Sequence, residues 1–296
     1  MILDEHSRLE RFRRVAKIKG ISPPEESMLP FREVEYLRGL LNANVYLEAE
    51  PWMCPSWVTL SLKSIDVEKE LITDFRNTLY RNWSSIGGVG TKQYGVVSSR
   101  GLVVPRLDFG SIDLWPLDGK DLVFPALIGK DGPQMKLVST EDQLYEWKTQ
   151  IESVEIARLL YHVMKDNAEF LYNEIVLRNL GLEETTCTFY VVIRPMSPLG
   201  VEPIETTEYD TSRQTVYING NLALMVNKKP TASIMCEGND PNIPQIVVDV
   251  TAQSDIKYKS LLGLATTVLR FDIPLPPAGS ERIFLGSPLF EVTKKD

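Results

Sequence analysis

The sequence predicts a mainly β protein, a large antiparallel sandwich that follows a helical N-terminal extension. Residues 170–203 contribute the first observation. Two apolar-rich runs, 171–177 and 186–193, are filled with β-branched and aromatic residues. They flank a turn centred on Asn179, Gly181 and Glu183, because Gly and Asn permit a chain reversal. The pattern predicts a long antiparallel hairpin whose second strand ends before Pro195.

The second observation is the spacing of short runs from Trp83 onward, which are separated by Gly, Pro, Asn and Asp. Asn219-Gly220 lies between two of these runs and matches a two-residue hairpin turn. Many short strands at this spacing favour a sandwich or barrel over alternating strands and helices. Besides the two runs above, strands are predicted at 94–98, 102–104, 112–115, 122–128, 144–149, 204–209, 215–218, 222–226, 233–236, 246–250, 267–273 and 282–285.

Residues 1–78 differ from the rest and are predicted to form a helical or mixed extension, with the sandwich domain at 79–296. Residues 3–19 carry Leu9, Phe12, Val15 and Ala16 at helical spacing, and Gly20 then ends the helix. A second short helix is predicted at 31–41. Residues 65–79 stay ambiguous, because Leu71, Phe75 and Leu79 fit a helix while Thr and Ile dilute the pattern.

Residues 154–164 fit two structures. Their leucines suit a helix, but Glu155, Ala157, Leu159, Tyr161 and Val163 also alternate as in a strand. We predict a strand, because the segment lies among other predicted strands.

Charge and cysteine content exclude several functional classes. The chain has 296 residues and a formal net charge of -8, so it lacks the basic surface that nucleic acids and anionic membranes attract. Three widely separated cysteines, Cys54, Cys187 and Cys236, do not form a disulfide framework. The N-terminus is charged where a signal peptide would be apolar, and no run is long enough to span a membrane. We expect a reduced, cytoplasmic protein that binds neither nucleic acid nor membrane.

Motifs for catalysis are weak. Residues 86–92, IGGVGTK, suggest a phosphate loop but lack the Gly-Lys-Ser/Thr order, so a turn is the simpler interpretation. His6 and His162 have no partner at metal-ligand spacing, and no Gly-x-Ser-x-Gly elbow is present. Carboxylate pairs such as Glu183-Glu184 are expected on any acidic surface, and sequence does not give the separation that glycoside hydrolysis needs. We therefore predict no catalytic residue, metal or cofactor.

Tryptophans are the better functional indication. Five lie in the first half of the chain: Trp52, Trp57, Trp83, Trp115 and Trp147. An exposed aromatic face can stack on the apolar face of a sugar ring, although packing in the core is the more common role of any single tryptophan.

Several segments in order resemble a known domain. They are 81–87 (RNWSSIG), 96–105 (VVSSRGLVVP), 110–115 (GSIDLW), Asn173-Glu174, 179–181 (NLG), 193–204 (IRPMSPLGVEPI), 263–265 (GLA) and 277–280 (PAGS). This order resembles the N-terminal β-sandwich domain of glucoamylase-like and glycogen-debranching-like glycosidases, over roughly residues 80–290. The resemblance implies a super-sandwich of the galactose-mutarotase-like type that packs on an (α/α)6-barrel, and the barrel holds the catalytic acid and base.

The resemblance makes an accessory domain the leading functional hypothesis. Such a domain is glycosidase-related, contacts an α-glucan-like oligosaccharide or a helical-barrel catalytic partner, and is not catalytic alone. The candidate residues for the sugar- or barrel-facing surface are Trp83, Arg106, Asp113, Trp115 and Arg194, whose rings would stack and whose charged groups would hydrogen-bond hydroxyls.

Two alternatives from other classes stay open. The first is a protein-interaction scaffold without sugar affinity that presents a large apolar patch, and homo-oligomerisation is compatible with it. The second is a free-standing sugar epimerase of the mutarotase kind, whose acid-base site would depend on His162.

Overall fold

The computed structural model describes residues 83–87, 95–98, 101–106, 109–123, 135–139, 144–165, 168–197, 200–201, 203–237, 257–260 and 263–294. Within these ranges the chain forms strands and no helix. The strands are β1 (Trp83–Ile86), β2 (Gly95–Ser98), β3 (Val103–Val104), β4 (Ser111–Asp118), β5 (Asp121–Leu122), β6 (Lys136–Ser139), β7 (Leu144–Ile151), β8 (Val154–Lys165), β9 (Ala168–Asn179), β10 (Thr185–Arg194), β11 (Met196–Ser197), β12 (Gly200–Val201), β13 (Thr206–Asp210), β14 (Thr215–Ile218), β15 (Asn221–Val226), β16 (Ala232–Glu237), β17 (Lys257–Lys259), β18 (Ala265–Leu275) and β19 (Ser280–Pro288).

Two large antiparallel sheets contain nearly all of these strands. One has the order β1-β2-β3-β4-β10-β18-β16, with β5 paired to β4. The other has the order β17-β13-β14-β15-β19-β9-β8-β7-β6, and β11 and β12 form a small separate pair. The mainly β, antiparallel prediction is therefore confirmed.

One hydrophobic core joins the two sheets, and it is built from the residues that alternate inward along each strand. Ile175 and Leu177 enter it from β9, and Phe189, Val191 and Ile193 enter it from β10. All five are at most 1% exposed. Burying each such side chain stabilises the fold by about 1.5–3 kcal/mol.

The predicted hairpin at 170–203 is wrong in its pairing, although both of its strands exist. β9 pairs with β8 and β19, whereas β10 pairs with β4 and β18 in the other sheet. The connection is thus an arch from one sheet to the other. A hairpin and an arch show the same alternation of apolar residues in sequence. Two strands that face each other across a core have the same pattern as two strands that pair side by side in one sheet.

A second arch lies beside the first and connects β18 to β19. The buried side chain of Asn179 holds the two together: its Nδ2 donates to the carbonyl oxygens of Leu275 at 3.2 Å, Pro276 at 3.1 Å and Glu183 at 2.7 Å. Its Oδ1 accepts from the Gly181 N–H at 2.9 Å. One amide therefore satisfies backbone groups from both arches.

Other local predictions are confirmed where the structure describes the residues. Asn219 and Gly220 have φ values of 50° and 80° and connect β14 to β15 as a two-residue turn. The ambiguous segment 154–164 is a strand, β8. The predicted helices of residues 1–78, the strand at 246–250 and most of the glycine-rich segment 86–92 lie outside the described residues.

Candidate functional site

An aromatic strip lies on the outer face of the nine-stranded sheet. We use this name for Tyr161 of β8, Phe170 and Tyr172 of β9, Phe284 of β19, and Phe290, which follows β19. On β8, β9 and β19 these positions alternate with the inward residues of the core, and all five side chains are partly exposed. Partly exposed aromatic rings on a sheet face can contact a ligand.

Four of the five rings of the strip contact one another along the sheet. Tyr161 and Tyr172 are directly opposite across β8 and β9, with ring centroids 6.0 Å apart and an interplanar angle of 10°. Phe170 meets Tyr172 edge-on at 6.4 Å and Phe290 at 5.7 Å. The two tyrosines thus form a nearly parallel stacked pair, which we call the platform, and Phe170 contacts one end of it.

Gly286 of β19 lies next to the Tyr172 ring of this platform. It lies opposite Tyr172, and a Cβ added to it would be 3.7 Å from Tyr172 Cζ and 3.2 Å from Met225 Cε. The Tyr172 ring therefore lies over a position without a side chain, as in other cross-strand pairs of glycine with an aromatic residue.

A buried carboxylate is fixed beside the platform. Glu174 has a side chain only 8% exposed. Its Oε1 accepts from Arg282 Nη1 at 2.9 Å, and its Oε2 accepts from the Tyr161 hydroxyl at 3.2 Å. Burial raises the pKa of Tyr161 to about 12, and the adjacent Glu174 carboxylate adds to the rise. The arrangement keeps the phenol protonated and donating to Glu174.

Three of the predicted site residues come together elsewhere. Asp113 and Trp115 of β4 and Arg194 of β10 point away from the shared core on the eight-stranded sheet. Asp113 Oδ2 accepts from Trp115 Nε1 at 2.8 Å and from Arg194 Nη2 at 3.0 Å, and Oδ1 accepts from the Leu114 N–H at 2.9 Å. The Arg194 guanidinium also lies 5.2 Å from the centre of the Trp115 ring.

This cluster is enclosed. Asp113, Trp115 and Arg194 are 1%, 0% and 3% exposed, so a ligand would reach none of them without a rearrangement of the fold. The buried ion pair joins two neighbouring strands instead. Trp147, on β7, is 1% exposed and belongs to the core. Packing therefore accounts for both tryptophans whose side chains the structure describes.

The other two predicted site residues, Trp83 and Arg106, are not part of this cluster. Trp83 begins β1, and its side chain lies outside the described atoms. Arg106 follows β3 and is partly exposed, with its guanidinium 4.2 Å from the centre of the Phe109 ring.

Arg158 of β8 is a second buried cation, and its side chain extends from one sheet to the other. Its Nε donates to Asn173 Oδ1 at 2.9 Å, Nη2 donates to the Ile112 carbonyl at 3.4 Å, and Nη1 donates to the Gly101 carbonyl. Burial lowers its pKa to about 10, and Asp113 partly opposes that change. Because backbone carbonyls and one amide solvate it, this arginine connects the layers and is closed to ligands.

Classical catalytic groups are scarce in the described residues. His162 Nε2 lies 3.5 Å from Glu169 Oε2, but both side chains are largely buried. Cys187 and Cys236 are buried, and burial raises the Cys187 pKa to about 12. No group of three or more metal-ligating side chains occurs among the residues that the structure describes. In the same ranges, no helix is long and apolar enough to cross a membrane.

Sequence reasoning missed the aromatic strip and its polar residues, Glu174 and Arg282. The alternation of residues 154–164 predicts a strand, but residue type alone points to the tryptophans, and not to Tyr161, as rings that stack on a sugar. The sequence does contain one indication of the strip. Phe170, Tyr172 and Glu174 occupy every second position, so they lie on one face of their strand. Arg282 had no local signal, because the strand register alone brings it to Glu174.

Comparison with known proteins gives little further guidance. No family model matches the chain, and no curated protein matches it. Among solved structures, one similar chain is named "Putative kojibiose phosphorylase from human microbiome", with a TM-score of 0.36 and 9% sequence identity. The match covers 70% of this chain but only 25% of that one. A likeness at this level assigns neither a family nor a function.

Proposed function

We propose that this chain is a glycosidase-related accessory β-sandwich that contacts carbohydrate and is not catalytic alone. The observation that carries the proposal is the aromatic strip, where the Tyr161–Tyr172 platform lies beside the fixed Glu174–Arg282 pair. Aromatic rings next to oriented polar groups suit a pyranose ring, which has an apolar face and an edge of hydroxyls. The order of sequence motifs that resembles glycosidase sandwich domains supports the same class.

An α-glucan-like oligosaccharide is the ligand class that this resemblance favours, and a helical-barrel catalytic domain is the matching partner. The enclosed Asp113, Trp115 and Arg194 would then support the fold and the aromatic strip would contact the sugar. The chemistry would be supplied by the partner, since the largely buried His162–Glu169 pair is poorly placed to act on a sugar.

Isothermal titration with malto-oligosaccharides tests the proposal. We expect heat at millimolar sugar, and we expect Tyr172→Ala to weaken binding by up to about tenfold, because one aromatic stacking contact contributes about 0.5–1.5 kcal/mol. Leu182→Ala is the matched control, since Leu182 is 92% exposed on the arch after β9, outside the strip. No heat at millimolar sugar, or unchanged binding by Tyr172→Ala, would count against the strip as a sugar site.

A protein-interaction scaffold is the second candidate, because exposed apolar side chains occur outside the strip. Leu180 and Leu182 on the arch are 57% and 92% exposed, and exposed apolar patches often mark protein contacts. Analytical ultracentrifugation and sugar titration together separate the candidates. A monomer that binds malto-oligosaccharides through Tyr172 would remove the scaffold, whereas an oligomer without sugar affinity would replace the first proposal.

A further inference from the structure

Arg282 is the exposed member of the polar group beside the platform. Its side chain is 63% exposed, although Nη1 is held by the buried Glu174 carboxylate. No other hydrogen bond of this guanidinium occurs within the described residues, so its remaining N–H groups face outward. A guanidinium oriented by a carboxylate behind it is a preorganised fork of donors.

Glu174 has little capacity left for a ligand. Each of its oxygens already accepts one hydrogen bond, from Arg282 and from Tyr161, and the side chain is only 8% exposed. Since the Tyr161 hydroxyl donates to Glu174, the oxygen of that hydroxyl keeps its acceptor capacity. The polar edge of the platform therefore presents several donors from Arg282 and one acceptor from Tyr161.

The surroundings of Arg282 are close to electrically neutral. Glu174 compensates the guanidinium at 2.9 Å. Other basic side chains on this face are paired with glutamate carboxylates as well. The pairs on the outer face are Arg178–Glu155 at 3.3 Å and Lys148–Glu146 at 2.9 Å. An anionic ligand gains no net attraction at such a surface, and the chain's net charge of -8 opposes its approach.

We propose that Arg282, held by Glu174, is the residue that makes the aromatic strip select neutral sugars. Its guanidinium donates to the oxygens of two adjacent ring hydroxyls, and the Tyr161 oxygen accepts from a hydroxyl of the ring that stacks on the platform. The inference rests on the proposed function and adds to it the ligand class, a neutral pyranose with adjacent hydroxyls, and the residue that recognises it.

Titration of the full chain with maltotetraose and with an oligogalacturonate of the same length tests this selectivity. Wild type is expected to bind maltotetraose with little salt dependence and to bind the anionic sugar more weakly. Arg282→Met should weaken maltotetraose binding by about tenfold, since it removes hydrogen bonds from a charged donor. Arg178→Met is the matched control, because Arg178 is also exposed and paired with a glutamate on this sheet face, and it should change affinity less than about twofold.

Glu174→Gln tests the charge compensation separately. It keeps the shape of the side chain but leaves the Arg282 charge uncompensated, so this variant should gain affinity for oligogalacturonate, and added salt should reduce that gain. A merely structural role of Glu174 would weaken both sugars alike. Equilibrium unfolding of each variant confirms that the protein is folded during the titrations.

The outcomes separate this inference from the proposed function. If Tyr172→Ala loses maltotetraose but Arg282→Met binds it as wild type does, the sugar site stands and the role of Arg282 is refuted. A wild-type preference for oligogalacturonate, or no gain by Glu174→Gln, also overturns the inference alone. If wild type binds neither sugar, both proposals fall.

Discussion

Replacing Asn179 should reveal how strongly the two arches depend on one amide. In Asn179→Ala the buried carbonyl of Leu275 loses its donor, which costs about 1–3 kcal/mol. The Pro276 and Glu183 carbonyls and the Gly181 N–H are only partly buried, so water can replace some of their bonds at a further cost of roughly 1 kcal/mol. The expected loss in unfolding free energy is therefore about 2–4 kcal/mol.

Equilibrium unfolding in urea measures this loss, and thermal unfolding should show a decrease in Tm of about 5–10 °C for a domain of this size. Asn227→Ala is the matched control. The Asn227 side chain accepts one exposed bond from the Phe284 N–H at 2.8 Å, and its loss should cost no more than about 1 kcal/mol. Asn179→Asp keeps the volume but places an acceptor against three carbonyls, so it should destabilise at least as much as Asn179→Ala. Equal stability of Asn179→Ala and Asn227→Ala would refute the role of the amide.

Three further predictions concern buried and titrating groups. Arg158→Met should destabilise the fold by about 3 kcal/mol in urea unfolding, because three buried acceptors lose their donor, whereas Arg178→Met on the surface should cost less than about 1 kcal/mol. Cys187, whose pKa burial raises to about 12, should resist iodoacetamide at neutral pH and react only after unfolding, as peptide mapping by mass spectrometry would show. Because folding raises the pKa of Tyr161, its protonated phenol stabilises the fold fully below pH 10. This contribution is lost as the pH rises through about 12. Tyr161→Phe should therefore lose less unfolding free energy than wild type between these two pH values.

Each of these has a clear contrary result. Similar unfolding free energies for Arg158→Met and Arg178→Met would mean that the buried guanidinium stabilises no more than an exposed one. Rapid modification of Cys187 in the folded protein would contradict its burial. Parallel stability curves for Tyr161→Phe and wild type above pH 10 would place the phenol in water.

The strands were predictable from the sequence because, within each strand, every second side chain faces the core and is apolar. The alternation of Ile175 and Leu177, and of Phe189, Val191 and Ile193, survives in any arrangement that buries one face. The Asn219-Gly220 turn was equally predictable, since it requires two positive φ values. What alternation does not contain is the identity of the neighbouring strand, and for this reason an arch was mistaken for a hairpin.

The candidate site was harder to predict for a related reason. Trp115 was selected for its residue type, but residue type does not reveal whether an outward face is covered, and Trp115 is fully buried. Conversely, Tyr161, Glu174 and Arg282 are distant in sequence and meet only through the register of β8, β9 and β19. Sequence placed Asp113 and Arg194 in one functional group, and the structure does bring them into contact, but inside the fold.

The last two long strands are interior strands of the two sheets. β18 connects β10 to β16, and β19 connects β9 to β15. Until residues 265–288 have left the ribosome, β10 and β16 in one sheet, and β9 and β15 in the other, therefore each keep an unpaired edge where β18 or β19 will insert. Pairing between strands that are distant in sequence predicts slow folding. The open strand edges also make the nascent chain prone to aggregation. A chaperone that shields open strand edges should therefore raise the yield of this protein more than one that acts on folded domains.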